Sequence, residues 1–234
     1  MRLQVFLAHA GFASRRASEE IILARRVSVN DEIVSVLGTK VFATDKVCVD
    51  GKQIFLETQK RYVLLHKPEG FVSSASDEKN RACAYDLLKN SFPERLYNVG
   101  RLDMYSSGAL IFTNDGEFAK KISHPSSEIE KEYFVETSTA LPRTLANDFE
   151  KGIRVENVFY KAKSAREINS HEMRIVLVEG KNREIRTVFS HYEVGIKRLS
   201  RVRIGNILLA DLKVGEFREL SENEVNVLLD SCKK

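Results

Sequence analysis

The sequence predicts an α+β fold in two parts, and three observations carry that reading. Beyond residue 61, strand-like and helix-like stretches are mixed without the regular alternation of a doubly wound sheet. Residues 1–58 hold two short helical patterns followed by short strands, enough for a small fold by themselves. Between these parts, residues 57–61 (ETQKR) are polar and read as a linker. The expected domains are 1–58 and 61–234.

Taken in order, Leu3, Phe6, Leu7 and Ala10 share one helical face, and Gly11 can close that helix in a left-handed cap. Ser14 can cap a second helix, with Ile21, Ile22 and Leu23 expected to pack inward. Val27 and Val29 alternate as a strand. So do Val47 and Val49, just before Asp50-Gly51, a strong hairpin-turn pair. In the second part, residues 62–65 form an apolar run ending near Lys67-Pro68, where proline cannot donate to a ladder. Further strands are expected at 109–112, 131–137, 174–178 and 201–207, and helices at 84–89, 117–122, 144–151 and 183–192. Ser221 and Glu224 have the spacing of a capping box before a final helix.

With 43% apolar and 30% charged residues, the 234-residue chain has the composition of a globular protein with a real core. The net charge is only +4, so the placement of charge says more than its total. Residues 1–26 carry five arginines, Arg2, Arg15, Arg16, Arg25 and Arg26, against two glutamates. Residues 181–203 carry seven basic side chains against two acidic ones, with Tyr192 among them. Either block suits a nucleic-acid backbone, and either alone is equally a solvated face.

Cys48, Cys83 and Cys232 match neither a disulfide framework nor a metal-ligand spacing, and read as small buried residues of a reducing compartment. The N-terminus lacks a signal peptide's apolar core, and no run of about 18 apolar residues occurs. A cytoplasmic protein without membrane contact is expected, a monomer by default. There is no phosphate loop, dinucleotide glycine motif, zinc helix or nucleophile elbow, so neither metal nor cofactor is expected. His66, His124 and His191 lie near element ends, where histidine is more often surface or supporting than catalytic.

Three positions remain as candidates for chemistry. Asp103 follows Arg101 and precedes Ser106-Ser107-Gly108, small residues that let a ligand approach the backbone. Tyr133 lies on an expected strand, and Arg186 on the basic helix after Gly180. Singly they read as a turn residue, a core edge and a surface charge.

Together the motifs carry more. Residues 2–51 contain an Ala-Gly-x-x-Ser-Arg-Arg core followed by Arg-Val-x-Val-Asn, and this stretch resembles the alpha-L RNA-binding domain. The stretches HKPEGFVSS (66–74), GRLD with its SSG and TNDG sequel (100–116), HPSSEIEKEY (124–133), EGKNREIR (179–186) and LKVGEFRELSENE (212–224) follow one another in order. They resemble the bacterial RsuA/RluB/E/F family of ribosomal RNA pseudouridine synthases. That resemblance implies a small alpha-L RNA-binding module joined to a mixed, largely antiparallel catalytic sheet flanked by helices. It implies that a uridine in ribosomal RNA or a ribosomal precursor particle is isomerised without a cofactor. Asp103 matches the essential aspartate, Tyr133 the tyrosine against the target base, and Arg186 the basic residue paired with the aspartate. Arg2, Arg15, Arg16, Arg25, Arg26, Lys67, Arg101, Lys181 and Arg183 are the expected RNA contacts. Glu184, where glutamine is usual, and Thr187, where a second arginine is frequent, depart from the pattern.

In that chemistry the bond from ribose to a base nitrogen breaks, the uracil turns, and it rejoins through a carbon. The carboxylate works in its ionised form, which burial disfavours and an adjacent guanidinium favours. The SRRASEE and SHPSSEIEKEY stretches favour the large-subunit (23S) branch, with 16S rRNA as the alternative. A non-catalytic ribosome-assembly factor and a base-releasing glycosidase-like enzyme are the competing classes.

Overall fold

The computed structural model describes residues 1–75 and 77–232, so the last two residues of the expected second domain lie outside the described residues. The chain divides into two compact units. One is Met1–Arg61 with Ser91–Leu96 and Asn114–Gly116. The other is Tyr62–Asn90, Tyr97–Thr113 and the chain from Glu117 on.

The first unit begins with helices α1 (Leu3–His9) and α2 (Arg15–Leu23). Gly11 follows α1 at φ +71°, and the Ser14 hydroxyl accepts from the Ala17 amide to start α2. Strands β1 (Val27–Val29), β2 (Glu32–Val34), β3 (Val47–Val49) and β4 (Lys52–Gln53) form an antiparallel sheet in the order β2-β1-β3-β4. Its two hairpins turn at Asn30-Asp31 and Asp50-Gly51, four residues all at positive φ, which suits the right-handed strand twist. Leu3, Phe6, Leu7, Ile22, Val27, Val41, Val47 and Val49 make the core. Ile22 is buried and Ile21 partly so, whereas Leu23 faces solvent, contrary to expectation. Consecutive residues on a helix point about 100° apart, so three in a row cannot share one face. Residues 57–61 are held within this unit rather than forming a loose linker. The Glu57 carboxylate accepts from the Arg95 amide and the Asn114 side chain, and Arg61 pairs with Glu94.

The second unit is built on a larger sheet. Its strands are β5 (Tyr62–Lys67), β6 (Tyr97–Val99), β7 (Ser107–Thr113), β8 (Lys131–Thr137), β11 (Ser164–Asn169), β12 (Glu172–Leu177), β13 (Ile196–Ile204), β14 (Ile207–Leu208) and β15 (Phe217–Glu219). The order is β11-β12-β8-β13-β7-β5-β15, with β6 also on β7 and β14 on β13. Strands β9 (Ile153–Val155) and β10 (Val158–Tyr160) form a separate hairpin. Every strand pairing in the sheet is antiparallel except β13 with β7, where Arg201 lies opposite Gly108. A Cβ on Gly108 would stand 2.2 Å from the Arg201 carbonyl oxygen, and Gly108 has φ +110°, so glycine is required at this crossing.

Four helices complete the unit: α3 (Gly116–Ser123), α4 (Leu145–Lys151), α5 (Glu184–His191) and α6 (Glu222–Asp230). One apolar cluster joins α4 and α5 to β8, β11 and β12 through Phe149, Val188, Phe189, Val135 and Ile175. A second joins α3 and α6 to β5 and β7 through Phe118, Leu228, Leu64 and Ile111. Strand β13 serves both, with Leu199 in the first and Ile204 in the second. Ser221 and Glu224 form the capping box of α6 in full. The expected helix at 84–89 is a single 3-10 turn, Ala84–Leu87, and the strand expected at 201–207 is broken by a turn at Gly205. His66 is buried, its Nδ1 2.7 Å from the Leu212 carbonyl oxygen, and so is a core residue rather than a surface one. All three cysteines are free and buried. No helix among the described residues is long and apolar enough to cross a membrane.

Candidate active site

Asp103 lies in the loop between β6 and β7, and residues 66–74 hold that loop in place. The Ser73 hydroxyl donates to the Leu102 carbonyl and accepts from the Leu102 amide. The Gly70 amide donates to the Met104 carbonyl, and Lys67 Nζ donates to the Pro68 carbonyl at 2.7 Å and the Met104 carbonyl at 3.4 Å. The flanks of the acid are therefore fixed from outside the loop, while its carboxylate is left about one-third exposed.

Arg186 arrives from the first turn of α5. Residue Arg183 starts that helix at φ +51°, and the Glu184 carboxylate accepts from the Lys181 amide, which folds residues 181–183 back over the helix start. The Arg186 Nη2 donates to the Tyr105 carbonyl and to the Ser106 hydroxyl. Its Nε stands 3.8 Å from Asp103 Oδ2, too far for a hydrogen bond but close enough for a charge pair. Arg186 thus braces the loop through two hydrogen bonds and sets positive charge beside the acid. Burial lowers the Arg186 pKa and Asp103 opposes that shift.

Tyr133 sits on β8 between Ile175 of β12 and Arg201 of β13. With Asp103 and Arg186 it lines one pocket of about 90 Å³, to which Arg101, Lys181, Arg183 and Glu184 also contribute. That pocket shares Arg101, Tyr133, Gly180 and Lys181 with a cleft of about 400 Å³. A wider groove of about 550 Å³, lined by Arg154, Arg183, Arg186 and His191, contains neither Asp103 nor Tyr133, so size alone does not mark the site.

Among the expected RNA contacts, Arg2, Arg15, Arg16, Arg25, Arg26, Arg101 and Arg183 are exposed, and Lys181 is partly buried beside Glu179. Lys67 is different. It is fully buried, burial pushes its pKa down to about 8, and its ammonium is committed to the Pro68 and Met104 carbonyls, so it supports the Asp103 loop rather than standing exposed. Two further cations escaped sequence reasoning as site residues. Lys131, also brought down to about 8 by burial, donates to the Ile129 and Val178 carbonyls. Arg201 is buried, its Nε donating to the Ala109 carbonyl and its Nη1 to that of Arg101, just before the acid. The alternation Leu199-x-Arg201 had placed Arg201 inward and was the available signal. Glu184 is buried as well, and burial raises its pKa.

Residues 61–191 match the family described as RNA pseudouridylate synthase, and residues 1–47 match the S4 domain. This chain belongs to the RNA pseudouridylate synthase family. It is 38% identical over 233 residues to ribosomal large subunit pseudouridine synthase B of Bacillus subtilis, covering 97% of this chain and 95% of that protein. It is 40% identical to an uncharacterized RNA pseudouridine synthase of Borreliella burgdorferi, covering 100% of this chain and 95% of the other. A crystal structure of a pseudouridylate synthase superposes with a TM-score of 0.70 at 24% identity, over 97% of this chain and 99% of that one. The α+β fold is therefore that of a pseudouridine synthase with an N-terminal S4 domain, and the chain is an RNA pseudouridine synthase.

Proposed function

We propose that this enzyme converts a specific uridine of ribosomal RNA to pseudouridine, with the Asp103 carboxylate acting on an extruded nucleoside. The observation that carries the reading is the convergence of Asp103, Arg186 and Tyr133, from three separate elements, on one pocket. The reaction is an isomerisation: the bond from ribose to the uracil nitrogen breaks, the ring turns, a carbon–carbon bond forms, and that carbon loses a proton while the freed nitrogen takes one up. The base stays in the site throughout, so atoms and electrons balance without a co-reactant.

Asp103 supplies an anion to the electron-poor sugar carbon or to a sugar proton, with the Arg186 guanidinium 3.8 Å away. Tyr133 offers a flat apolar face to the uracil and a hydroxyl for proton transfer from the base carbon. Extruding the uridine costs a few kcal/mol, which contacts elsewhere must offset. The exposed arginines of residues 1–26 are suited to that, because phosphate contacts add affinity and register without reading sequence.

The large-subunit rRNA is the preferred substrate in this reading, within a cytoplasmic ribosomal precursor particle and with the enzyme acting as a monomer. The relatives in Bacillus subtilis and Pseudomonas aeruginosa named large subunit pseudouridine synthase B, at 38% and 34% identity, support that choice over the small subunit. The decisive variant is Asp103→Ala. It is expected to fold and bind RNA as the wild type does and to form no pseudouridine; retained isomerisation defeats the assignment. Free uracil among the wild-type products would instead indicate a glycosidase. Mapping pseudouridines in rRNA from cells lacking the protein identifies the subunit and position.

A further inference from the structure

The 400 Å³ cleft beside Tyr133 is larger than the catalytic pocket and has a character of its own. Val99, Ile122 and Ile204 give it an apolar wall, and four cations are among the other lining residues. Arg101, Lys131, Lys181 and Arg201 face it against a single acid, Glu179, which is already paired with Lys181. Arg201 is the informative member. It is only 4% exposed, and its Nη2 is buried without a hydrogen-bond partner among the described residues. Leaving a charged buried donor unsatisfied is costly, so this nitrogen calls for an acceptor. The other guanidinium nitrogens are committed to the Ala109 and Arg101 carbonyls, which fixes the direction of the free one.

Resting on the reading that RNA is the substrate, we infer that this cleft is the subsite for a nucleotide flanking the target uridine. A phosphodiester oxygen of that nucleotide accepts from Arg201 Nη2, and its base lies on the wall of Val99, Ile122 and Ile204. A base carbonyl offers the same kind of acceptor oxygen, but the excess of cations favours the charged phosphate. The Arg201 contact to the Arg101 carbonyl then ties this subsite to the loop bearing Asp103.

The test measures binding of the full chain to a short single-stranded uridine-containing RNA over a salt series. Arg201→Met is expected to weaken binding about tenfold, the scale of one charge-assisted hydrogen bond. It should also reduce the slope of log affinity on log salt by about 0.7, the value for one phosphate on a single strand. Arg201→Lys keeps the slope. Ser123→Trp, at an exposed residue of the cleft, is expected to weaken binding while its thermal midpoint stays that of the wild type. Wild-type affinity in Ser123→Trp overturns the subsite, and this variant decides the matter should Arg201→Met fail to fold. Weakened binding of Arg201→Met with an unchanged slope overturns the phosphate assignment. Pseudouridine formation by the wild type is scored separately, so a failure of the proposed reaction is not mistaken for a failure of this subsite.

Discussion

The two units use positive charge in opposite ways. In the first, the arginines of residues 1–26 are all exposed, and Arg26 meets Asp50 where both side chains are about half exposed. In the second, Lys67 and Arg201 are buried and Lys131 is partly so, and each donates to backbone carbonyls around the Asp103 loop or the adjoining cleft. Exposed cations are screened by salt and act additively on a polyanion; buried ones act on their immediate neighbours, and Lys67 and Lys131 feel burial in their own pKa values. The first arrangement suits holding a long RNA, the second suits shaping a small reactive space.

The sharpest way to break the buried arrangement is Gly108→Ala, because the added methyl meets the Arg201 backbone at 2.2 Å. A loss of roughly 3–5 kcal/mol in chemical denaturation is expected, the range of core overpacking combined with an unfavourable φ. A loss under about 1 kcal/mol would show that the crossing gives way easily.

Lys67→Met tests burial of charge. Lys67 titrates at about 8 in the fold against an ordinary 10.5, so between those values the unfolded chain binds more protons and the stability contributed by this group rises with pH. Stability of the wild type minus that of Lys67→Met should increase across this window by at most about 3 kcal/mol. A gap that is flat with pH counts against a charge held in the interior.

In the first unit, Arg15→Gln with Arg16→Gln is expected to weaken RNA binding about tenfold and to flatten its salt dependence by about 1.4, two single-strand phosphate contacts. Smallest of all, Arg26→Ala should leave the thermal midpoint where it is in the wild type, since exposed ion pairs contribute little. A clear drop in that midpoint would undo the contrast between the units.

Much of the fold was legible because local patterns and final burial agree. Strand β8 has the predicted bounds, α3 and α4 differ from theirs by a residue, and the Ser221 capping box is present in full. The misses share a physical cause. Strand β13 reads IKRLSRVRI, and its interspersed cations hid the first five residues of the strand. Strand β11 is mostly exposed and has no apolar alternation to find. At the site, Asp103, Tyr133 and Arg186 were recognisable only as a set of motifs, since each alone has an ordinary structural reading. Lys67 illustrates the limit: its charge pointed to RNA, but its place at the end of an apolar strand put it inside.

The parallel seam between β13 and β7 also bears on how the chain matures. Strands β5 to β7 and strands β8, β11 and β12 share no strand pairing among the described residues until β13 is laid between β7 and β8. During synthesis both of those edges stay open until residues near 204 have emerged, so neighbouring edges are free to pair wrongly in the meantime. A nascent chain ending before α5 also lacks Arg186, and one ending before β13 lacks Arg201. Synthesis must therefore pass β13 before the loop bearing Asp103 has the contacts of both Arg186 and Arg201.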